Sequence, residues 1–499
     1  AGKCIYMYIF ALLIAILPFL NNKKKIYKVL SIILIPLGLF SFFLTTYNSI
    51  SIESIHSLTY YSYTKSFTKT IDILKKEYVL NEHKKIDYDY LYNKYYPLIE
   101  IAEKNKDEQL FFKTMYEFAN NFRDCHFSFG VTDSTFEKTV RKYAFVNDYS
   151  NKNYGFGSIL LSDGQVIAVM VDQNSEAYQK GLRDGMTITK KDNTNVSELI
   201  KDVIKPIDSY PVLEDELLFN SLYLFATGDE YIDITFINDN NEYVTIQVHE
   251  TNDYNSRPED LLWKIMYYDE EAENLETKML DDNTGYIYIS DEQYSSLGGT
   301  IGYIFDDSSY LTKVVDKKLE ELKSNGMENL IIDLRANAGG YLTESEAIAS
   351  LFTKDNYMVS KFAKYNSNNF SKSYLKGNGR YSDMKIIVLV NSDTASAGDA
   401  LTYMFSKMDN VSIIGFTNSN HSCQSIGGFI LLSGGSYISY PVYKNYDEKN
   451  NVFIDTDYTG KATIELDYRV PLTQDSIIDL IQTEEDYDYL LNYALQLID

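Results

Sequence analysis

The stretch spanning residues 329–416 limits the fold more than any other part of the chain. It opens on NLIIDLR, and KIIVLVN follows after a spacer. Both runs are apolar without alternation, the pattern of strands buried on both faces. The first ends in Ala-Asn-Ala-Gly-Gly and the second in Thr-Ala-Ser-Ala-Gly, and a helical pattern follows each. Strands alternating with helices predict an α/β domain. The turns carry the chemistry. At Gly339-Gly340 no Cβ shields the backbone N–H groups, and at Ser396 a hydroxyl stands at the start of a helix. Bare amides beside a presented serine are the parts that acyl transfer needs. A purely structural reading also fits: Ser396-Ala-Gly-Asp399 and Thr343-Glu-Ser-Glu346 read as capping boxes, and Gly339-Gly340 as a tight turn.

The chain's 499 residues suggest about two to four domains. Residues 4–20 and 29–47 are uncharged apolar runs, each near bilayer-spanning length. Lys23, Lys24, Lys25 and Lys28 lie between them, and the positive-inside rule puts that loop in the cytoplasm. Residues 1–50 are thus expected to form a transmembrane hairpin, with the remainder outside the cytoplasm at the cell membrane. A cleaved signal peptide competes for the first run but explains the second poorly. The first 47 residues hold five of the 46 basic residues and none of the 71 acidic ones. The acidic excess therefore falls on the rest of the chain, which disfavours nucleic acid and anionic lipid as partners.

Residues 51–150 read as an N-terminal helical region, with apolar positions at helical spacing over 60–80 and 108–122. Residues 151–252 read as β-rich: YGFGSILLSDGQVIAVMV gives two strands around a turn at Ser162-Asp-Gly164. An acidic strut follows, and the α/β core runs over 278–499. Within it TGYIYIS and SYISYPVYK read as strands, 310–324 and 484–497 as helices.

Three segments resemble the C-terminal-processing (tail-specific) serine peptidases and their tricorn-core relatives: DLRANAGG at 333–340, NSDTASAGD at 391–399 and GFT at 415–417. The resemblance implies a ClpP/crotonase-like core, Ser396 as nucleophile, and an oxyanion hole from the amides of Ala397 and of Gly339 or Gly340. SEAYQKGLRDGMTITKKDN resembles the PDZ domain of that family, with Met186 where an aspartate is usual, and PDZ domains capture peptides by strand addition. Neither metal nor organic cofactor is implied.

The base is the open point. In the processing branch a lysine lies about 25 residues beyond the serine, but residues 409–442 contain no lysine or arginine. His421 stands at that spacing instead. Asp124-Cys125-His126 resembles the segment that carries the general base in the tricorn-core branch, which makes His126 the preferred candidate and His421 the alternative. By the same resemblance an acid before the closing stretch at 466–470 orients the imidazole, with Asp457 preferred over Asp455. Cys125 beside His126 and Cys423 near His421 raise a disulfide as one expectation outside the cell, with free buried thiols as the default; adjacent Cys-His is poor zinc-ligand spacing. The reading is a membrane-anchored serine endopeptidase acting on protein tails or unfolded proteins. Its rival is a non-catalytic peptide- or ligand-binding relative.

Overall fold

The computed structural model describes residues 53–131, 153–203, 209–226, 229–251, 258–266, 273–293, 310–482 and 487–498. The apolar runs at 4–20 and 29–47 lie outside the described residues. Among those described, no helix is long and apolar enough to cross a membrane.

The two unalternating runs are adjacent strands, Asn329–Asp333 and Lys385–Leu389, at the centre of a six-stranded sheet. The order across it is Tyr468–Arg469, Val411–Gly415, Lys385–Leu389, Asn329–Asp333, Thr284–Ile289 and Leu275–Met279. Every pair is parallel except the last. Successive side chains point to opposite faces, and both faces are covered. Leu330, Ile332, Val388 and Ile413 share one core with helices Tyr310–Ser324, Leu342–Ser350 and Ala397–Phe405. Ile331, Ile387, Leu389 and Ile414 share another with Leu213–Leu222, Pro258–Met266, Gln474–Gln482 and Tyr489–Ile498. The helix Tyr310–Ser324 buries Leu311, Val315, Leu319 and Leu322, a stripe at helical spacing.

The N-terminal region is helical over Tyr63–Glu77, Tyr88–Asn105 and Glu108–Asn120, but it also contributes two strands. Ser54–Ser57 and Ser128–Val131 flank Ile426–Leu431 and Ser436–Pro441 in a four-stranded sheet, and the three helices pack on it. Strands of four residues carry too little periodicity to be read from sequence. Their partners lie some 300 residues away, and this pairing carries the segment after Glu108–Asn120 to the loop that precedes Ile426.

The β-rich region is an antiparallel sheet in the order Gly157–Leu160, Val166–Val169, Thr187–Lys191, Tyr231–Ile237 and Tyr243–His249. Its edge strand Gly157–Leu160 is covered by the helix Leu213–Leu222: Ser158 Oγ donates to Ser221 O at 2.6 Å, and Leu160 N donates to Ser221 Oγ at 2.8 Å. The same helix reaches the core through buried Asp215, which accepts from Asn418 N at 3.0 Å and from Arg469 at 2.8 Å.

Candidate active site

The two turns that close the central strands are stitched together. Beyond Asp333 the backbone turns through Arg335, whose buried guanidinium bridges Asp333 and Asp488. Asn337 then fastens the turn from within. Its Nδ2 donates to Ile289 O and to Glu292 Oε1, each at 3.0 Å; its Oδ1 accepts from Gly339 N at 2.8 Å; its carbonyl accepts from Ala395 N at 2.8 Å. Thr394 Oγ1 donates to Leu334 O at 2.7 Å, and Ala336 N to Asn391 Oδ1 at 3.0 Å. Gly339 lies against the serine segment at φ 86°. A Cβ there would come within 2.7 Å of Ala395 O and Ser396 Cβ and 2.8 Å of Ala397 N. Glycine is required because no side chain fits that approach. Gly340 is pressed onto Glu292 in the same way, with a Cβ 2.7 Å from its carbonyl carbon.

Ser396 is half-buried at φ 59° and ψ −114°, immediately before the helix Ala397–Phe405. A positive φ at a non-glycine residue costs about 1–3 kcal/mol and persists only where surrounding bonds enforce it. Asp399 supplies those bonds. Its carboxylate accepts from Ser396 N at 2.9 Å, His421 N at 2.9 Å and Ser422 N at 3.1 Å. Asp399 thus supplies the capping-box bond to Ser396 N, and the same carboxylate holds a second loop against the serine. The Gly339 N–H is taken by Asn337. The Gly340 and Ala397 amides donate to no acceptor among the described residues, and Ala397 N also carries the positive end of the helix dipole.

The loop 417–424 connects the remaining parts. Cys423 donates its thiol to Ser396 O at 3.1 Å. Ser422 Oγ accepts from Cys125 N at 3.1 Å, and Gln424 O accepts from His126 Nδ1 at 2.8 Å. A carbonyl only accepts, so Nδ1 carries the proton and Nε2 is left with its lone pair. The His126 backbone is fixed by Asp124, which accepts from His126 N and from Tyr78 Oη, each at 2.9 Å. The His126 ring and the Ser396 hydroxyl are not hydrogen-bonded to each other.

His421 is enclosed. Its Nδ1 donates to Ser419 O at 2.7 Å and its Nε2 accepts from Ile464 N at 2.9 Å. Burial holds its pKa below the usual histidine value. With both ring nitrogens engaged, this imidazole has no lone pair free to take a proton. Asp457 accepts from Thr459 N and Oγ1 in its own turn and makes no hydrogen bond to His126. Asp455 is the buried acid here. Its Oδ2 accepts from Cys423 N at 3.0 Å and Gln424 Nε2 at 2.9 Å, while Oδ1 has no partner. Burial raises its pKa, and Asp124 pushes the same way. Cys125 and Cys423 are free thiols, the default expectation, with Cys423 buried and Cys125 exposed; the Cys423 sulfur is directed at Ser396 O and no bridge is formed.

Sequence reasoning passed over three residues of this site. Asn337 lay inside the quoted motif without a role. Glu292 follows a strand with nothing to mark it. Lys84 enters from the N-terminal region: buried, it donates to Arg123 O at 2.9 Å and to Thr456 Oγ1 at 3.1 Å. Burial lowers its pKa, and Asp124 and Asp455 oppose that. The cluster thus contains a lysine, though from a segment remote in sequence.

A mixed sheet that presents a serine at a strained strand-to-helix elbow, beside a glycine turn, is the arrangement on which serine hydrolases are built. Residues 283–468 match the family model for peptidase family S41. Over 99 residues the chain is 31% identical to a probable CtpA-like serine protease of Staphylococcus haemolyticus, covering 18% of this chain and 20% of that protein. Over 122 residues it is 30% identical to a carboxyl-terminal-processing protease of Synechocystis sp., covering 24% and 27%. The matches thus span under a third of these curated relatives' length. The crystal structure of mature CPAF superposes with a TM-score of 0.52 at 13% identity, over 88% of this chain and 97% of that one, a likeness of fold.

Proposed function

We propose that the chain is a serine endopeptidase that cleaves protein tails or unfolded polypeptide. Ser396 Oγ attacks the scissile carbonyl while His126 Nε2 takes its proton. The Gly340 and Ala397 amides receive the oxyanion. His126 then protonates the leaving amine, and water releases the acyl group by the reverse sequence. Gln424 O holds the imidazole in the working tautomer, and Asp455 supports Gln424, the part assigned by resemblance to Asp457. The observation that carries this reading is the contact between Gly339 and the Ser396 elbow, which packs the glycine turn against the serine segment. The 151–252 region is read as a PDZ-like unit. A peptide adding to the edge strand Gly157–Leu160 would first displace Ser221. The apolar runs at 4–20 and 29–47 support a membrane anchor with the peptidase on the extracytoplasmic side.

One observation favours the non-catalytic alternative: the imidazole is not bonded to the hydroxyl. Such bonds are often long before substrate binds. A fluorophosphonate probe separates the two. Labelling at Ser396, together with loss of casein cleavage on the order of 10⁴-fold or more in Ser396→Ala, supports the peptidase. Unlabelled protein, or cleavage retained in the variant, refutes it.

A further inference from the structure

Glu292 is wholly buried beneath the glycine turn. Its backbone brackets that turn: Glu292 N donates to Gly339 O at 3.1 Å, and Tyr341 N donates to Glu292 O at 3.4 Å. Its side chain supports the turn a second time, because Oε1 accepts from Asn337 Nδ2, and Asn337 in turn holds Gly339 N and Ala395 N. The other oxygen, Oε2, is buried with no partner. The charged groups that act on it are Asp291, next in the chain, and Asp399, at the start of the serine helix. Both are acids. A carboxylate here would be a buried charge held by Asn337 and its own backbone N–H and flanked by two acids, whereas a carboxylic acid is neutral.

We propose that Glu292 is a positioning residue for the oxyanion turn: as the neutral acid it holds Asn337 and the 339–341 backbone in the geometry that faces Ser396, and loss of its proton loosens that turn. The inference rests on the peptidase reading and adds a proton-dependent control to it. Burial pushes the carboxyl up to about 8, with the Asn337 bond opposing and the two acids adding to the rise. The turn is therefore intact at neutral pH and lost on the alkaline side. Titration of one group gives about a tenfold fall in kcat per pH unit above that value.

Glu292→Gln supplies a neutral group of the same shape. The wild type should lose about fivefold in kcat between pH 8 and pH 9, with KM little changed, while Glu292→Gln should lose less than about twofold. An identical alkaline limb in the two proteins overturns the proposal. A second measurement does not depend on turnover. Hydrogen exchange of the Glu292, Gly339 and Tyr341 amides, corrected for intrinsic rates, should lose about tenfold protection from pH 6 to pH 7 and level off above about pH 8, in the wild type only. Equal protection in both proteins overturns the proposal by itself. Absence of Ser396-dependent cleavage at every pH would instead sink the peptidase reading, and the exchange result would still decide the role of Glu292.

Discussion

The two candidate histidines differ in their hydrogen bonds, and the peptidase reading gives them different work. His126 donates from Nδ1 to Gln424 O and keeps Nε2 open. His421 spends both nitrogens on backbone groups. His126→Ala should therefore lower kcat by about 10²–10⁴ with little change in stability. His421→Ala should leave Ile464 N and Ser419 O without their partner, lowering stability by about 1–3 kcal/mol. Urea unfolding beside initial rates checks the pair. A fall in kcat confined to the His421 variant, at unchanged stability, would reverse the assignment. The sequence prefers His126 by a segment resemblance, against His421, which has only its spacing. What separates them is the set of carbonyls and amides that the fold brings to each ring.

The decisive element is the loop 417–424. It has no regular structure, and acidic side chains from three other segments fasten it. Asp215 takes Asn418 N, Asp399 takes His421 N and Ser422 N, and Asp455 takes Cys423 N. The loop then presents Gln424 O to His126 and Cys423 to Ser396 O. Asp399 is the critical fastening because it also caps the serine helix. Asp399→Ala would strip the acceptor from three backbone N–H groups, at about 1–3 kcal/mol for each that stays buried. The expected result is a loss of about 3–5 kcal/mol in urea unfolding together with slower fluorophosphonate labelling of Ser396. Wild-type stability in the variant would show that water replaces the carboxylate without cost.

Across the whole molecule, the elements that carry the chemistry are joined to the chain's far ends. Arg335, two residues beyond the central strand, is buried between Asp333 and Asp488, and Asp488 directly precedes the final helix Tyr489–Ile498. Lys385 donates to the carbonyls of Leu497 and Ile498 on the same tail. Removing one member of a buried ion network leaves its partners uncompensated, at about 3–5 kcal/mol. Arg335→Met should lose stability on that scale, and a further Asp488→Asn change should recover part of it. Chemical denaturation of the single and double variants measures both. No recovery would mean that the Asp488 charge is not what the arginine offsets. At the other end, Ser54–Ser57 and Ser128–Val131 complete a sheet begun by residues 426–441, which brings His126 to Gln424 O.

Local sequence determined the central βα units, because an unalternating apolar run bounded by glycine and small residues has few other ways to fold. It also determined the serine at a helix start and the glycine turn, since both depend on residue type at one position. Only the tertiary structure decided which amide of that turn is open, because Asn337 reaches back to take Gly339 N. The same holds for the acceptance of Gln424 Nε2 and Cys423 N by Asp455 rather than Asp457, and for the presence of Glu292 beneath the turn. Each of these depends on which groups distant segments bring within about 3 Å, a distance at which hydrogen bonds form and which the spacing of residues along a chain does not encode.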